Sequence, residues 1–221
     1  MKVLVIAPHP DDEVLGCGGT LAKHAKIGDD VYLCIVTRAY TPDWSEKFIK
    51  NREKEVSKVN KILGIKKTYF LDFPTVKLDT VPQKELNDAI SKVVNKVGPD
   101  TVYIPHRGDV NKDHRIVFET AMVALRPKPG STAKRVLSYE TLSETEWAVP
   151  SKEDAFIPNV HVDISDTLKT KLSAMSAYKS ELKGYPHPRS IGGISSLAKK
   201  RGTEVGLKAA EAFMLMREVS R

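Results

Sequence analysis

Short apolar runs alternate with helical patterns through the first 126 residues, and this alternation constrains the fold more than any other feature. Four runs rich in β-branched or aromatic residues predict strands, at Val3–Ile6, Val31–Val36, Thr68–Leu71 and Thr101–Ile104. Between them, apolar side chains recur at helical spacing, as from Ser45 to Leu63. Strands separated by helices of this length form mainly parallel sheets with helices on both faces. We therefore expect an α/β fold.

The second part of the chain, residues 127–221, is less regular. Its patterns predict two strands and three helices, at Val136–Tyr139, Val160–Ile164, Ser165–Leu182, Ile194–Lys200 and Glu204–Val219. No stretch of glycine, proline and serine is long enough for a linker between domains. The 221 residues suit one domain, and we expect residues 1–221 to form it.

Composition excludes several classes of protein. Hydrophobic residues make up 41% and charged residues 29%, which is the balance of a globular chain and not of a disordered one. Two cysteines in apolar surroundings, Cys17 and Cys34, predict free thiols in a reducing compartment. No run approaches the roughly 20 apolar residues of a membrane span. We expect a cytoplasmic protein.

The formal net charge of +7 could indicate a nucleic-acid partner. The basic residues are instead scattered through helical segments among acidic ones, without the aromatic interleaving that grips single strands. We expect no nucleic-acid partner.

Chemistry-bearing side chains gather where the first predicted strand ends. His9 stands between Pro8 and Pro10, and the carboxylates Asp11, Asp12 and Glu13 follow. Ligands of open parallel sheets bind at the carboxyl ends of the strands. Adjacent acids repel one another unless a positive charge neutralises them. His9 and Asp12, three residues apart on a stiff turn, can approach one metal ion, while Asp11 faces its open position.

A second cluster follows the fourth predicted strand and can complete this site. A catalytic zinc ion usually takes three protein ligands and keeps a place for water. His114, at the start of the next helix, is the predicted third ligand, and His106 is its competitor.

Two simpler interpretations of the first cluster remain. Asp11 and Asp12 could serve only as acids at the positive end of a helix. Gly16, Gly18 and Gly19 invite a dinucleotide interpretation, but they lie within the helix and do not form G-x-G-x-x-G. Close helix packing explains these glycines better.

The motif Ala7-Pro8-His9-Pro10-Asp11-Asp12-Glu13, followed by Gly16-Cys17-Gly18-Gly19-Thr20-Leu21, resembles the opening of the LmbE-like, or PIG-L, N-deacetylases. Asp113-His114 resembles their second metal motif. Further similar segments are Asn51–Glu55, Leu63-Gly64, Tyr185–Ser190, Arg201-Gly202 and Ala210–Phe213. The resemblance implies a Rossmann-like fold and a zinc-dependent hydrolase that removes acetyl groups from N-acetylglucosamine-type sugars.

Carried over by position, the resemblance assigns zinc to His9, Asp12 and His114, and makes Asp11 the general base that activates zinc-bound water. Many members have a histidine three residues before the second zinc ligand, and Asn111 stands there in this chain. An amide can donate a hydrogen bond but cannot carry the positive charge. Asn111 is therefore our candidate for stabilising the oxyanion, and the general acid remains open.

Three further residues are candidates for binding substrate. Arg38 follows the second predicted strand, where it could hold sugar hydroxyls or a phosphate, and a plain surface arginine is the alternative. His187 and Arg189 lie in a proline-stiffened loop. We expect substrate specificity in residues 127–221 and metal binding in residues 1–126.

The sequence thus predicts a zinc N-deacetylase acting on an amino sugar, a sugar nucleotide or a related glycoconjugate. One alternative is another metal-dependent hydrolase, such as a magnesium phosphoesterase, although two histidines favour zinc. Another is a non-catalytic module that binds sugar or nucleic acid on the same fold. The resemblance also raises the expectation of a homo-oligomer.

Overall fold

One seven-stranded sheet runs through the computed structural model, which describes residues 1–220. The strand order is β3-β2-β1-β4-β5-β7-β6, and β1 to β5 are parallel. β7 runs antiparallel to both β5 and β6. The strands are β1 Lys2–Ala7, β2 Asp30–Arg38, β3 Lys67–Pro74, β4 Thr101–Ile104, β5 Arg135–Tyr139, β6 Val160–Asp163 and β7 Ala210–Glu218.

Helices cover both faces of the sheet, which confirms the predicted α/β class. They are α1 Asp12–Lys26, α2 Glu46–Leu63, α3 Gln83–Val97, α4 Lys112–Ala124, α5 Leu168–Ala177 and α6 Ile191–Thr203. Alternate residues of β1 enter two separate cores. Val3, Val5 and Ala7 pack with α1, α2 and α5, and Leu4 and Ile6 pack with α3 and α4. This burial of both faces explains why the strands read as continuous apolar runs.

The helix predicted at Glu204–Val219 is wrong, because this segment contains strand β7. Its alanine, glutamate, leucine and methionine residues have high helix propensity, so the local sequence favours a helix. Pairing with β5 and β6 on its two sides overrides that local preference. The helix predicted at Ser165–Leu182 is also shorter, since α5 spans only Leu168–Ala177.

Two of the three glycines of α1, Gly16 and Gly19, serve close packing, as predicted. A Cβ atom on Gly16 would lie 2.2 Å from Tyr139 Cδ2, and one on Gly19 would lie 2.9 Å from Ile164. The helix kinks nearby at Cys17, where φ is −143°. Cys17 and Cys34 are both buried free thiols. No helix within residues 1–220 is long and apolar enough to cross a membrane.

Candidate active site

The turn after β1 holds Asp11 in a left-handed conformation with φ of 113°. Such backbone is strained for a residue with a Cβ atom and persists only where neighbours hold it. The buried Glu13 carboxylate accepts a hydrogen bond from Asp11 N at 3.0 Å, and Tyr178 donates its hydroxyl to Glu13 at 2.6 Å. Burial raises the pKa of Glu13 to about 7. α1 and the segment after α5 thus fix the direction of Asp11.

Three side chains converge beside this turn: His9, Asp12 and His114. One ligand atom from each lies within 4.8 Å of the others. Asp12 Oδ2 is 3.2 Å from His9 Nδ1 and 3.3 Å from His114 Nε2. The predicted set therefore meets at one point, because β1 and β4 are neighbours in the sheet.

Two further carboxylates orient the histidines. Asp113 contacts His9 Nε2 at 3.0 Å, and Asp109 contacts His114 Nδ1 at 2.8 Å. Each contact leaves the other ring nitrogen facing Asp12. Carboxylates behind histidines are typical of metal sites, where they fix the ring and its tautomer. Sequence reasoning did not assign this role to either residue, although both lie in the second cluster.

The residues present fit a metal ion. Within residues 1–220, Asp12 Oδ1 is a buried atom without a hydrogen-bond partner, and the 3.3 Å contact of the buried His114 Nε2 with Asp12 Oδ2 does not have hydrogen-bond geometry. Leaving such atoms unsatisfied is costly, and a cation would satisfy both. Two imidazole nitrogens and one carboxylate oxygen also form a donor set that catalytic zinc uses.

The charges of the three side chains are interdependent. Despite burial, His114 and His9 hold the pKa of Asp12 well below its usual range. Burial lowers the pKa of His9, but hydrogen bonds to Asp113 and Asp12 outweigh it and raise the value to about 9.

Asp11 is paired with Arg189 beside the three converging side chains. Arg189 Nη1 donates to Asp11 Oδ2 at 3.2 Å, and the same guanidinium contacts Ser143, Glu144 and Glu181. Burial raises the pKa of Asp11 well above its usual range, and Arg189 opposes this effect. The loop after α5 thus brings a cation to the predicted base.

The other candidates occupy different positions. Asn111 lies at the start of α4, where its Oδ1 accepts from Asp113 N at 3.0 Å, and it lines the main cavity. His187 packs edge-on against Trp147, and its Nδ1 accepts from Arg189 N at 3.1 Å. His106 contacts Asp154 O at 2.7 Å and is not in the His9 group.

A cavity of about 790 Å³ opens over these residues. Its walls include His9, Asp11, Arg38, Asn111 and Arg189. Arg38 contacts Glu53 of α2 at 2.7 Å and lies in the part of the cavity wall that α2 and β3 form. The volume is within the range of small-molecule sites, roughly 300–1,000 Å³.

Comparisons with known proteins identify the family of this chain. Residues 4–125 match the family described as GlcNAc-PI de-N-acetylase, or PIG-L. The chain is 33% identical to the uncharacterized deacetylase YaiS of Escherichia coli K12 over 187 residues, covering 80% of this chain and 90% of that protein. It is 28% identical to the diacetylchitobiose deacetylase of Thermococcus kodakarensis over 193 residues, covering 81% and 70%.

Among solved structures, the conserved protein TT1542 from Thermus thermophilus superimposes with a TM-score of 0.80 at 28% identity. The match covers 99% of this chain and 96% of that one. The family match spans more than half of the chain and includes His9, Asp11, Asp12 and His114. This chain belongs to the PIG-L family.

Proposed function

We propose that the protein is a zinc-dependent hydrolase that removes the acetyl group from an N-acetylated amino sugar or a related glycoconjugate. Water adds to the amide carbonyl, the carbon–nitrogen bond breaks, and acetate and a free amine leave. The observation that carries the proposal is the convergence of His9, Asp12 and His114 beside a buried Asp11 at the wall of a cavity. The diacetylchitobiose deacetylase of T. kodakarensis supports the sugar substrate.

His9, Asp12 and His114 would hold the zinc ion, which when bound polarises a carbonyl and lowers the pKa of water towards about 7. Asp113 and Asp109 keep the two imidazoles in the ligating orientation. The histidines also favour zinc over magnesium, which prefers an all-oxygen shell. A magnesium phosphoesterase is therefore the less favoured alternative.

Asp11 acts as the general base in this proposal and takes a proton from the attacking water. It must be ionised to do so. Arg189 at 3.2 Å favours the ionised form, while burial favours the protonated one. A carboxylate balanced in this way can accept a proton and then deliver it to the leaving nitrogen.

Asn111, Arg189 and His187 complete the proposed site. Asn111 Oδ1 already accepts from Asp113 N, so its amide hydrogens are the groups left to donate to a substrate oxygen. Arg189 acts through Asp11. His187 supports Arg189 by accepting from its backbone N–H.

Acetate release from a panel of N-acetylated sugars tests the proposal. Zinc-loaded wild-type protein should release acetate, and chelator-treated protein should not. Asp11→Asn should lose roughly 10²–10⁴-fold in rate while keeping its zinc. The control is Asp88→Asn, which removes an exposed carboxylate paired with Lys84 on α3. Zinc-loaded protein that releases no acetate from any member of the panel would contradict the proposal.

A further inference from the structure

The cavity extends well beyond the candidate catalytic centre, towards the edge of the sheet. Ala7, Ile35 and Phe70 pair in one row across β1, β2 and β3. Neighbouring strands lie about 4.8 Å apart, so Phe70 is about 10 Å from β1. Ile35 and Phe70 both line the cavity, as does His9 just after β1. The far end of the cavity therefore accommodates a group beyond the acetylated sugar.

The wall at this far end carries apolar side chains among polar ones, the polar ones being Glu53, Ser57, Asn60, Thr68 and Asp72. Phe70 is 49% exposed and lines the cavity. Trp44, Phe48 and Ile49 add further apolar surface to the lining of the cavity. Paired residues of neighbouring strands point to the same face, so Phe70 lies on the α2 side of the sheet. α2 packs chiefly on α1 and α5 and reaches β3 through the hydrogen bond from Asn60 Nδ2 to Thr68 Oγ1 at 2.9 Å, so Phe70 on the edge strand stays half exposed.

Charge at the far end disfavours an anion. Arg38 lies between two carboxylates, at 2.7 Å from Glu53 and 3.9 Å from Asp72. Arg52, which lines the cavity nearer to Asp11, faces Glu181 and Glu55. Each guanidinium thus contacts two carboxylates, which together exceed its positive charge. A phosphate entering here would have to displace them and would meet their repulsion.

We propose that the substrate carries an uncharged apolar group, alkyl or aryl, in glycosidic linkage to the N-acetylated sugar, and that phosphate-linked sugars are disfavoured. The inference rests on the proposed function, because it places the acetamido group beside Asp11. Burial of an apolar group against Phe70 and its neighbours supplies the affinity. Arg38 acts as a bridge between α2 and β3 and not as a phosphate ligand.

Matched glycosides of N-acetylglucosamine test the proposal, in both anomers. The methyl, hexyl and phenyl glycosides differ in apolar area, and the 1-phosphate supplies the anion. We expect kcat/KM for the hexyl and phenyl glycosides to exceed that of the methyl glycoside by about tenfold or more. The 1-phosphate should fall below the methyl glycoside. Equal values for hexyl and methyl, or a preference for the 1-phosphate, would overturn the proposal.

The variant Phe70→Ser tests whether the preference for the hexyl glycoside arises at this wall of the cavity. The ratio of kcat/KM between the hexyl and methyl glycosides should fall towards one, because the apolar surface is lost. The matched control is Ile27→Ser, since Ile27 is 67% exposed and lies at the end of α1, away from the cavity. The control should keep the wild-type ratio. A ratio unchanged in Phe70→Ser would contradict the assignment of this wall.

A double variant tests the charge argument. Glu53→Gln with Asp72→Asn frees Arg38 while leaving its guanidinium in place. We expect its relative activity on the 1-phosphate to rise about tenfold against the methyl glycoside. An unchanged ratio would show that the carboxylates do not exclude phosphate.

Direct binding separates this proposal from the proposed function. Isothermal titration of the zinc-loaded Asp11→Asn protein with the hexyl and methyl glycosides should give at least tenfold tighter binding of hexyl. If no glycoside releases acetate but hexyl still binds more tightly, the deacetylase function fails and the apolar subsite stands. If acetate is released without any hexyl preference in rate or binding, the subsite fails and the deacetylase function stands.

Discussion

Asp109 accepts a hydrogen bond from Nδ1 of the buried His114 at 2.8 Å, and this contact turns Nε2 towards Asp12. The sequence places Asp109 five residues before His114, and α4 begins between them. Thr145 in turn donates its hydroxyl to Asp109 at 2.6 Å. A residue outside the predicted ligand set therefore fixes the orientation of one of its members.

Asp109→Asn should weaken zinc binding by roughly 10–100-fold, because the carboxylate raises the basicity of His114 and fixes its tautomer. Competition with a chromophoric chelator measures the change in affinity. Asp79→Asn, which removes an exposed carboxylate paired with Lys112, is the control. Wild-type zinc affinity in Asp109→Asn would show that this contact only supports packing.

Replacing Arg189 by methionine should move the acid limb of the kcat/KM profile to higher pH. Asp11 is active as a base when ionised, and Arg189 opposes the rise in its pKa caused by burial. Without the guanidinium, the pKa of Asp11 rises further, so activity is lost at a higher pH as the solution is acidified.

Arg38→Gln is the control for this profile, since its guanidinium faces Glu53 and Asp72 instead. A pH profile measured with the methyl glycoside should keep its acid limb in this variant. An acid limb that stays in place when Arg189 is replaced would refute the coupling between Arg189 and Asp11.

Lys171→Met should destabilise the fold by about 3–5 kcal/mol, because it leaves a buried carboxylate without its cation. Lys171 Nζ lies 2.6 Å from Glu211 Oε1, and both side chains are buried. Glu211 also accepts the backbone N–H groups of Gly19 and Thr20, just after the kink in α1. Urea unfolding measures the loss.

Lys84→Met provides the comparison for an exposed pair, and it should change the free energy of unfolding by about 0.5 kcal/mol or less. A similar small effect for Lys171→Met would mean that water reaches Glu211 in the folded protein.

The parallel part of the fold was predictable because burial on both faces leaves a plain signal in β1, β2 and β4. The strand β7 was not, since a run such as Ala210–Met216 favours a helix until two flanking strands pair with it. Its place in the sheet is a long-range property, and helical periodicity is a local one.

The residues of the candidate site likewise fall into those that the local sequence predicts and those that only the fold brings together. His9, Asp11 and Asp12 share one turn, so their spacing in the sequence already brings them together. Arg189 lies 178 residues from Asp11, and only the folded chain brings them into contact. Glu53 and Asp72 likewise meet Arg38 from two different elements. The exposure of Phe70 depends on how α2 packs against α1 and α5, which no local pattern records.

A zinc titration of metal-free protein tests the central claim most directly, with acetate release and bound zinc measured on the same samples. We predict that the rate rises linearly with zinc and reaches a plateau at one ion per chain, and that His114→Ala shows neither uptake nor acetate release. Acetate release that persists in chelated protein, or fully loaded protein that stays inactive on every N-acetylated sugar, would contradict the account.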